Sequence, residues 1–272
     1  MNYLFRNSRI KLPQGLLFWR EVGEGMPIIF LHGAWNDSSQ WLKVMELLSQ
    51  DAHCLAPDLL GFGESDRPNI HYSIDLQVDC LAKFLEALKL DNVHLVGHSL
   101  GGWIAVSYAL KYPEQISSLV LLAPEGVEVE KLEENWKKIQ NLMKRPAWVF
   151  KILRFLRPLI KKLGLNSWLE EDWEKRQLML QYPTGSKLLF LRQLPEIRAE
   201  LVEDKLDFLT VPVLILQGEK DSPDAVAKSD IYARVIPKAE LKIIARVGKN
   251  LLETSAGVVA MDIKDFVTRV IN

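Results

Sequence analysis

The chain reads as an α/β protein with a mostly parallel central sheet, helices on both faces and an inserted block of helices. Three observations predict this. Short apolar runs bounded by Gly and Pro alternate with longer segments whose apolar residues recur at helical spacing. The runs are continuously apolar, as strands buried on both faces require. The alternation stops after Pro124 and resumes at Val211. With 272 residues, 48% hydrophobic and 25% charged, one large core is within reach, which excludes a disordered tail and a disulfide scaffold.

Leu16–Val22 and Pro27–Leu31 are the first predicted strands, separated by a Gly-Glu-Gly-Met-Pro turn. Trp41, Val44, Met45 and Leu48 recur at helical spacing, with Asp37 or Ser38 available as the cap of a helix over Ser38–Ser49. His53–Ala56 is the next strand, and Tyr72–Leu90 a longer amphipathic helix. Val93–Gly97 is a strand that runs directly into a helix over Leu100–Lys111, stopped before Pro113. Ser118–Ala123 follows as a strand. From Glu125 to about Lys205 there is no convincing strand, and Trp136, Trp148, Trp168 and Trp173 lie in segments that read as helices. Strand Val211–Gln217, helix Asp224–Val235, strand Leu241–Ala245 and helix Leu251–Val270 then complete the pattern. The domains expected are a discontinuous core, 1–124 and 206–272, and a helical insertion, 125–205.

Lys+Arg 34 against Asp+Glu 35 gives no global field for a phosphate backbone, so no nucleic acid is expected as a partner. Cys54 and Cys80 are the only cysteines, both within apolar-periodic segments where a free thiol is ordinary, so a reducing, cytoplasmic setting is expected. Met1–Arg9 has no apolar h-region, and no run approaches the roughly 20 apolar residues that span a bilayer.

Gly97-His98-Ser99-Leu100-Gly101-Gly102 sits between a predicted strand and a predicted helix. A serine in so sharp a turn needs glycines around it, because the crossing backbones leave no room for a Cβ. The turn lifts the hydroxyl to the C-terminal edge of the sheet, at the positive end of the following helix.

With this segment the chain resembles the α/β-hydrolase superfamily, in its cap-containing, esterase- and epoxide-hydrolase-like branch. Further segments match in order: His32-Gly33-Ala34-Trp35, Asp58-Leu59-Leu60-Gly61-Phe62-Gly63-Glu64-Ser65, the helical insertion as a cap, and Gly218-Glu219-Lys220-Asp221. The resemblance implies Ser99 as nucleophile, the backbone N–H groups of Ala34 and Leu100 as oxyanion hole, and Asp221 as the acid. Glu125, at the entry to the insertion, is a second candidate acid. No cofactor and no metal are implied.

The resemblance also requires a histidine after the last strand, where this chain has Gly248-Lys249-Asn250, and His98 is its last histidine. Lys249 takes the vacant position. As a base near pH 7 it would need a pKa about three units below the usual 10.4 of lysine, and a neighbouring carboxylate pushes the other way. The expectation is therefore a Lys249–Asp221 ion pair that leaves the serine proton in place. His32 reads first as an internal hydrogen-bonding residue that shapes its loop, and is the alternate base if one exists. His98, adjacent to Ser99, should diverge from it. Finally, 142–165 is basic and amphipathic, with Trp148, Phe155 and Leu159 on its apolar side and no acid. An apolar small-molecule ligand under the cap is expected, and peripheral membrane contact through 142–165 is the other partner considered. The sequence assigns no oligomeric state.

Overall fold

The computed structural model describes residues 4–130, 132–146, 148–149 and 166–271. Most of the basic segment, with Arg154, Arg157, Lys161 and Lys162, lies outside them. The chain divides into two units, Met1–Val129 with Glu200–Asn272, and Glu130–Ala199.

The larger unit is built on one eight-stranded sheet: β1 (Arg6–Leu12), β2 (Gly15–Val22), β3 (Met26–Leu31), β4 (Ala52–Pro57), β5 (Val93–His98), β6 (Ile116–Leu122), β7 (Val213–Gly218) and β8 (Ala239–Ile244), in the order β1-β2-β4-β3-β5-β6-β7-β8. β1 and β2 pair antiparallel, as do β2 and β4, and from β4 to β8 every pairing is parallel. β5 and β7 are buried almost throughout, which is why they read as unbroken apolar runs. β1 was not among the expected strands. Five of its seven residues are polar or charged and only its last is buried, so its existence depends on pairing with β2 rather than on its own pattern.

The helices are α1 (Leu42–Leu48), α2 (Ile74–Leu88) and α3 (Leu100–Lys111). Asp37 caps the entry to α1 by accepting the Ser39 N–H, but the first turn, Ser38–Trp41, is a 3-10 helix. Ser73 caps α2, accepting the Leu76 N–H. The smaller unit carries α4 (Leu132–Lys144), α5 (Asn166–Gln181) and α6 (Leu194–Ala199), and its described residues hold no strand. α7 (Pro223–Val235) and α8 (Leu251–Ile271) complete the larger unit. On one side of the sheet Trp41, Val44 and Leu48 pack with Phe30, Val96 and Val120 and with Val259, Ile263 and Val267 of α8.

The topology determines where a site can form. The chain passes from β3 outward to β4, then returns to place β5 on the other side of β3. Ligands of open α/β sheets bind beyond the strands' C-terminal ends at such a reversal, and Ser99 directly follows β5. No helix among the described residues is long and apolar enough to cross a membrane.

Candidate active site

Ser99 joins β5 to α3 with φ 51° and ψ −113°, a backbone that a residue with a Cβ rarely adopts. Several main-chain bonds hold it. Its N–H donates to Leu122 O of β6 at 3.0 Å, and its carbonyl accepts from Gly102, Trp103 and Glu125 N–H at 3.0, 3.2 and 3.1 Å. The flanking glycines are required by space. A Cβ on Gly97 would lie 2.4 Å from Gly101 O, and one on Gly101 would lie 2.2 Å from Leu31 O and 2.8 Å from His32 O. The start of α3 can therefore press against the end of β3, which brings Leu100 to the loop that carries Ala34. As the first residue of α3, Leu100 has no intrahelical acceptor for its N–H. Among the described residues no acceptor is recorded for the Ala34 N–H either.

Asp221 lies in the loop after β7. One carboxylate oxygen accepts the Ser222 N–H at 2.7 Å and the other accepts from the Gln217 side chain at 3.4 Å. Gln217 is itself oriented by Ser229 of α7, whose hydroxyl donates to its carbonyl at 2.6 Å. The loops after β7 and β8 are fastened together. Lys220 N–H donates to Val247 O at 2.7 Å, Glu219 N–H to Ile244 O at 3.0 Å, and Arg246 N–H to the Glu219 carboxylate at 2.7 Å. Between them lies a cavity of about 460 Å³ whose lining includes Asp221, Gly248 and Lys249.

Asp221 and Lys249 thus share a cavity, but the ion pair expected between them is not formed among the described residues, and Lys249 is exposed. An exposed lysine keeps its entropy and hydration, and the two hydrogen bonds on Asp221 already satisfy its carboxylate.

The alternates are placed by their partners. His32 is fully buried, its Nε2 accepting the Leu59 N–H at 3.0 Å and its Nδ1 lying 2.8 Å from Gly33 O. An Nε2 that accepts leaves the proton on Nδ1, which donates to the carbonyl. Burial lowers the His32 pKa, against an opposing pull from the Gly33 hydrogen bond. His32 therefore has no lone pair free for the serine proton, which corrects the expectation of it as alternate base. Its loop-shaping role was legible in the sequence, but its partner Leu59, 27 residues away, was not. Glu125 also fails as a free acid. Its carboxylate pairs with Lys228 of α7 at 2.5 Å, and its carbonyl accepts the Tyr232 hydroxyl at 2.6 Å.

His98 lies against Gly33, where an added Cβ would come within 2.8 Å of its Nδ1. That nitrogen is buried without a partner. Burial brings the pKa of His98 down to about 4, against an opposing pull from Glu253 and Asp221. Cys54 and Cys80 are free and buried, and burial pushes both thiols up to about 12, far from thiolate chemistry. No group of His, Cys, Asp and Glu among the described residues could hold a metal.

A family model for the alpha/beta hydrolase fold matches residues 26–256. Among curated proteins, 2-hydroxy-6-oxo-2,4-heptadienoate hydrolase of Pseudomonas putida is 40% identical over 117 residues, 40% of this chain and 41% of that protein, so the match spans less than half of that relative's length. Monoacylglycerol lipase ABHD6 of Homo sapiens is 28% identical over 267 residues, 92% of this chain and 77% of that protein. A thermophilic esterase from Thermogutta terrifontis shares the fold with a TM-score of 0.73 at 23% identity, over 97% of this chain and 99% of that one. The match over 26–256 includes the serine turn, the loops that flank it and every strand from β3 to β8, and the chain belongs to the α/β-hydrolase family.

Proposed function

We propose that this α/β-hydrolase is of the serine esterase or acyl-transfer type, that it takes an apolar or acyl-bearing small molecule through Ser99, and that it works without an efficient general base. The observation that carries the reading is the strained turn at Ser99, held by bonds from β6, α3 and Glu125. Strain of this kind costs on the order of 1–3 kcal/mol and persists where the surroundings over-determine it. In the reaction the Ser99 Oγ bonds to the substrate's carbonyl carbon and its proton passes to solvent water. The carbonyl oxygen becomes an oxyanion facing the Leu100 and Ala34 N–H groups. Collapse expels the alcohol, which takes up a proton, and water then releases the acid from the acyl-serine.

The weak step is removal of the serine proton. His32 uses both ring nitrogens, and His98 packs on Gly33 with its basicity lowered by burial. Lys249 is exposed, and no hydrogen bond among the described residues ties it to Ser99. Where triad members act as a unit, loss of one lowers turnover by up to about 10⁶, while binding and the oxyanion hole retain about 10³–10⁴ over water. The absence of a base equally favours a second reading, a pocket that binds its ligand and keeps Ser99 as a hydrogen-bonding group.

Labelling by a fluorophosphonate, followed by intact mass, separates the two. Slow labelling of the wild type, abolished in Ser99→Ala, supports a nucleophile without a base. No labelling in either the wild type or Lys249→His leaves the binding reading.

A further inference from the structure

The cavity between the loops after β7 and β8 carries more positive charge than the fold needs. Lys220, Arg246 and Lys249 all line it, with Asp221 as the one acid in the lining. Among the described residues none of the three cations has a carboxylate partner. The nearest acids are otherwise engaged. Asp221 accepts from Ser222 and Gln217, and Glu219 accepts the main-chain N–H of Arg246. Glu253 acts electrostatically on His98 and is not in the lining.

The walls are fixed rather than loose. The Lys220–Val247 and Glu219–Ile244 main-chain bonds join the loops. Gly248 packs close, so that a Cβ there would meet Lys220 O at 3.1 Å. Arg246 is held at φ 65°, a left-handed backbone that few L-residues adopt. Three cations on a joined frame, lining one cavity with Asn250 and Ser255, form an arrangement that a doubly charged oxyanion would neutralise.

We infer that this cavity binds a small oxyanion, a phosphate or dicarboxylate group, through Lys220, Arg246 and Lys249. Lys249, where the resemblance calls for a histidine, is one of the three cations. Binding here does not require Ser99 to react, so the inference stands or falls separately from the hydrolase reading.

Calorimetric titration of the full chain with inorganic phosphate, and separately with succinate, provides the test. The expected result is saturable one-to-one binding of at least one of the two, weakening as salt is raised. Each cation removed, in Lys220→Gln or Arg246→Asn, should weaken binding by about fivefold. Asn is chosen because it tolerates the left-handed backbone. Asp221→Asn should tighten binding, and Ser99→Ala should leave it unchanged. Binding of phosphate alone or succinate alone supports the site and identifies the group. No saturable binding of either, or equal binding by the wild type and a Lys220→Gln/Arg246→Asn variant with unchanged circular dichroism, overturns it.

Discussion

At Ser99 the backbone conformation and the packing around it depend on each other. The φ of 51° is tolerable only because Gly97 and Gly101 let β5, α3 and β3 close around the turn. Gly101→Ala places a Cβ 2.2 Å from a main-chain oxygen that has little room to move. Overpacking of this kind costs about 3 kcal/mol, so urea denaturation should show a loss of that order or a failure to fold. Ser99→Ala relieves no contact and should retain wild-type stability while losing all labelling. The serine turn was legible because glycine spacing is a local signal. So was the internal hydrogen-bonding role of His32, but its partner Leu59 and the Lys228 partner of Glu125 were not, since they come from distant parts of the chain.

The histidines also make a pH prediction at this scale. Burial lowers His94 and His98 from the ordinary 6.5 to about 4. Below pH 6.5 the unfolded chain takes up protons that the folded chain refuses, so stability falls as pH drops from 6.5 toward 4 and is level with respect to these groups above 6.5. Each histidine contributes up to about 1.4 kcal/mol per pH unit within that window. Urea midpoints at pH 7 and pH 5 check this, and the loss on acidification should be smaller in His94→Gln.

Among the elements, α7 is the one that organises both candidate acids. Lys228 holds the Glu125 carboxylate, Ser229 holds Gln217 and through it Asp221, and Tyr232 bonds the Glu125 carbonyl. Residues 228, 229 and 232 share one helix face by their spacing. The alternation of strand and helix marked this helix at Asp224–Val235, but a row of polar side chains on a helix carries no sign of what it will touch. Tyr232→Phe removes one bond from a fully buried hydroxyl and leaves the Glu125 carbonyl short of a donor. A loss of about 1–2 kcal/mol is expected in thermal or urea unfolding. β1 stayed invisible for a related reason. An edge strand with polar residues facing water is specified by the partner it pairs with, here β2.

For the molecule as a whole, the parallel sheet was legible because each buried strand announces itself over five to seven residues and each crossover helix has its own period. What the sequence could not reveal is whether three loops, after β5, β7 and β8, cooperate as a catalytic unit. Composition already showed all five histidines within the first 98 residues. Of these, His32 bonds Leu59 and Gly33, His94 bonds Ser118 at 2.7 Å inside the sheet, and His98 packs against Gly33. The relatives include an esterase and a lipase by name, and the fold is theirs. The proposal made for Ser99 is a strained nucleophile turn without a group to take its proton. The most direct measurement is the rate of fluorophosphonate labelling of Ser99 at neutral pH in the wild type and in Lys249→His. Slow labelling of the wild type is expected, with at least a tenfold faster rate, about 1.4 kcal/mol in barrier, in the variant. Rapid wild-type labelling, lost in Ser99→Ala and no slower than in Lys249→His, would contradict it.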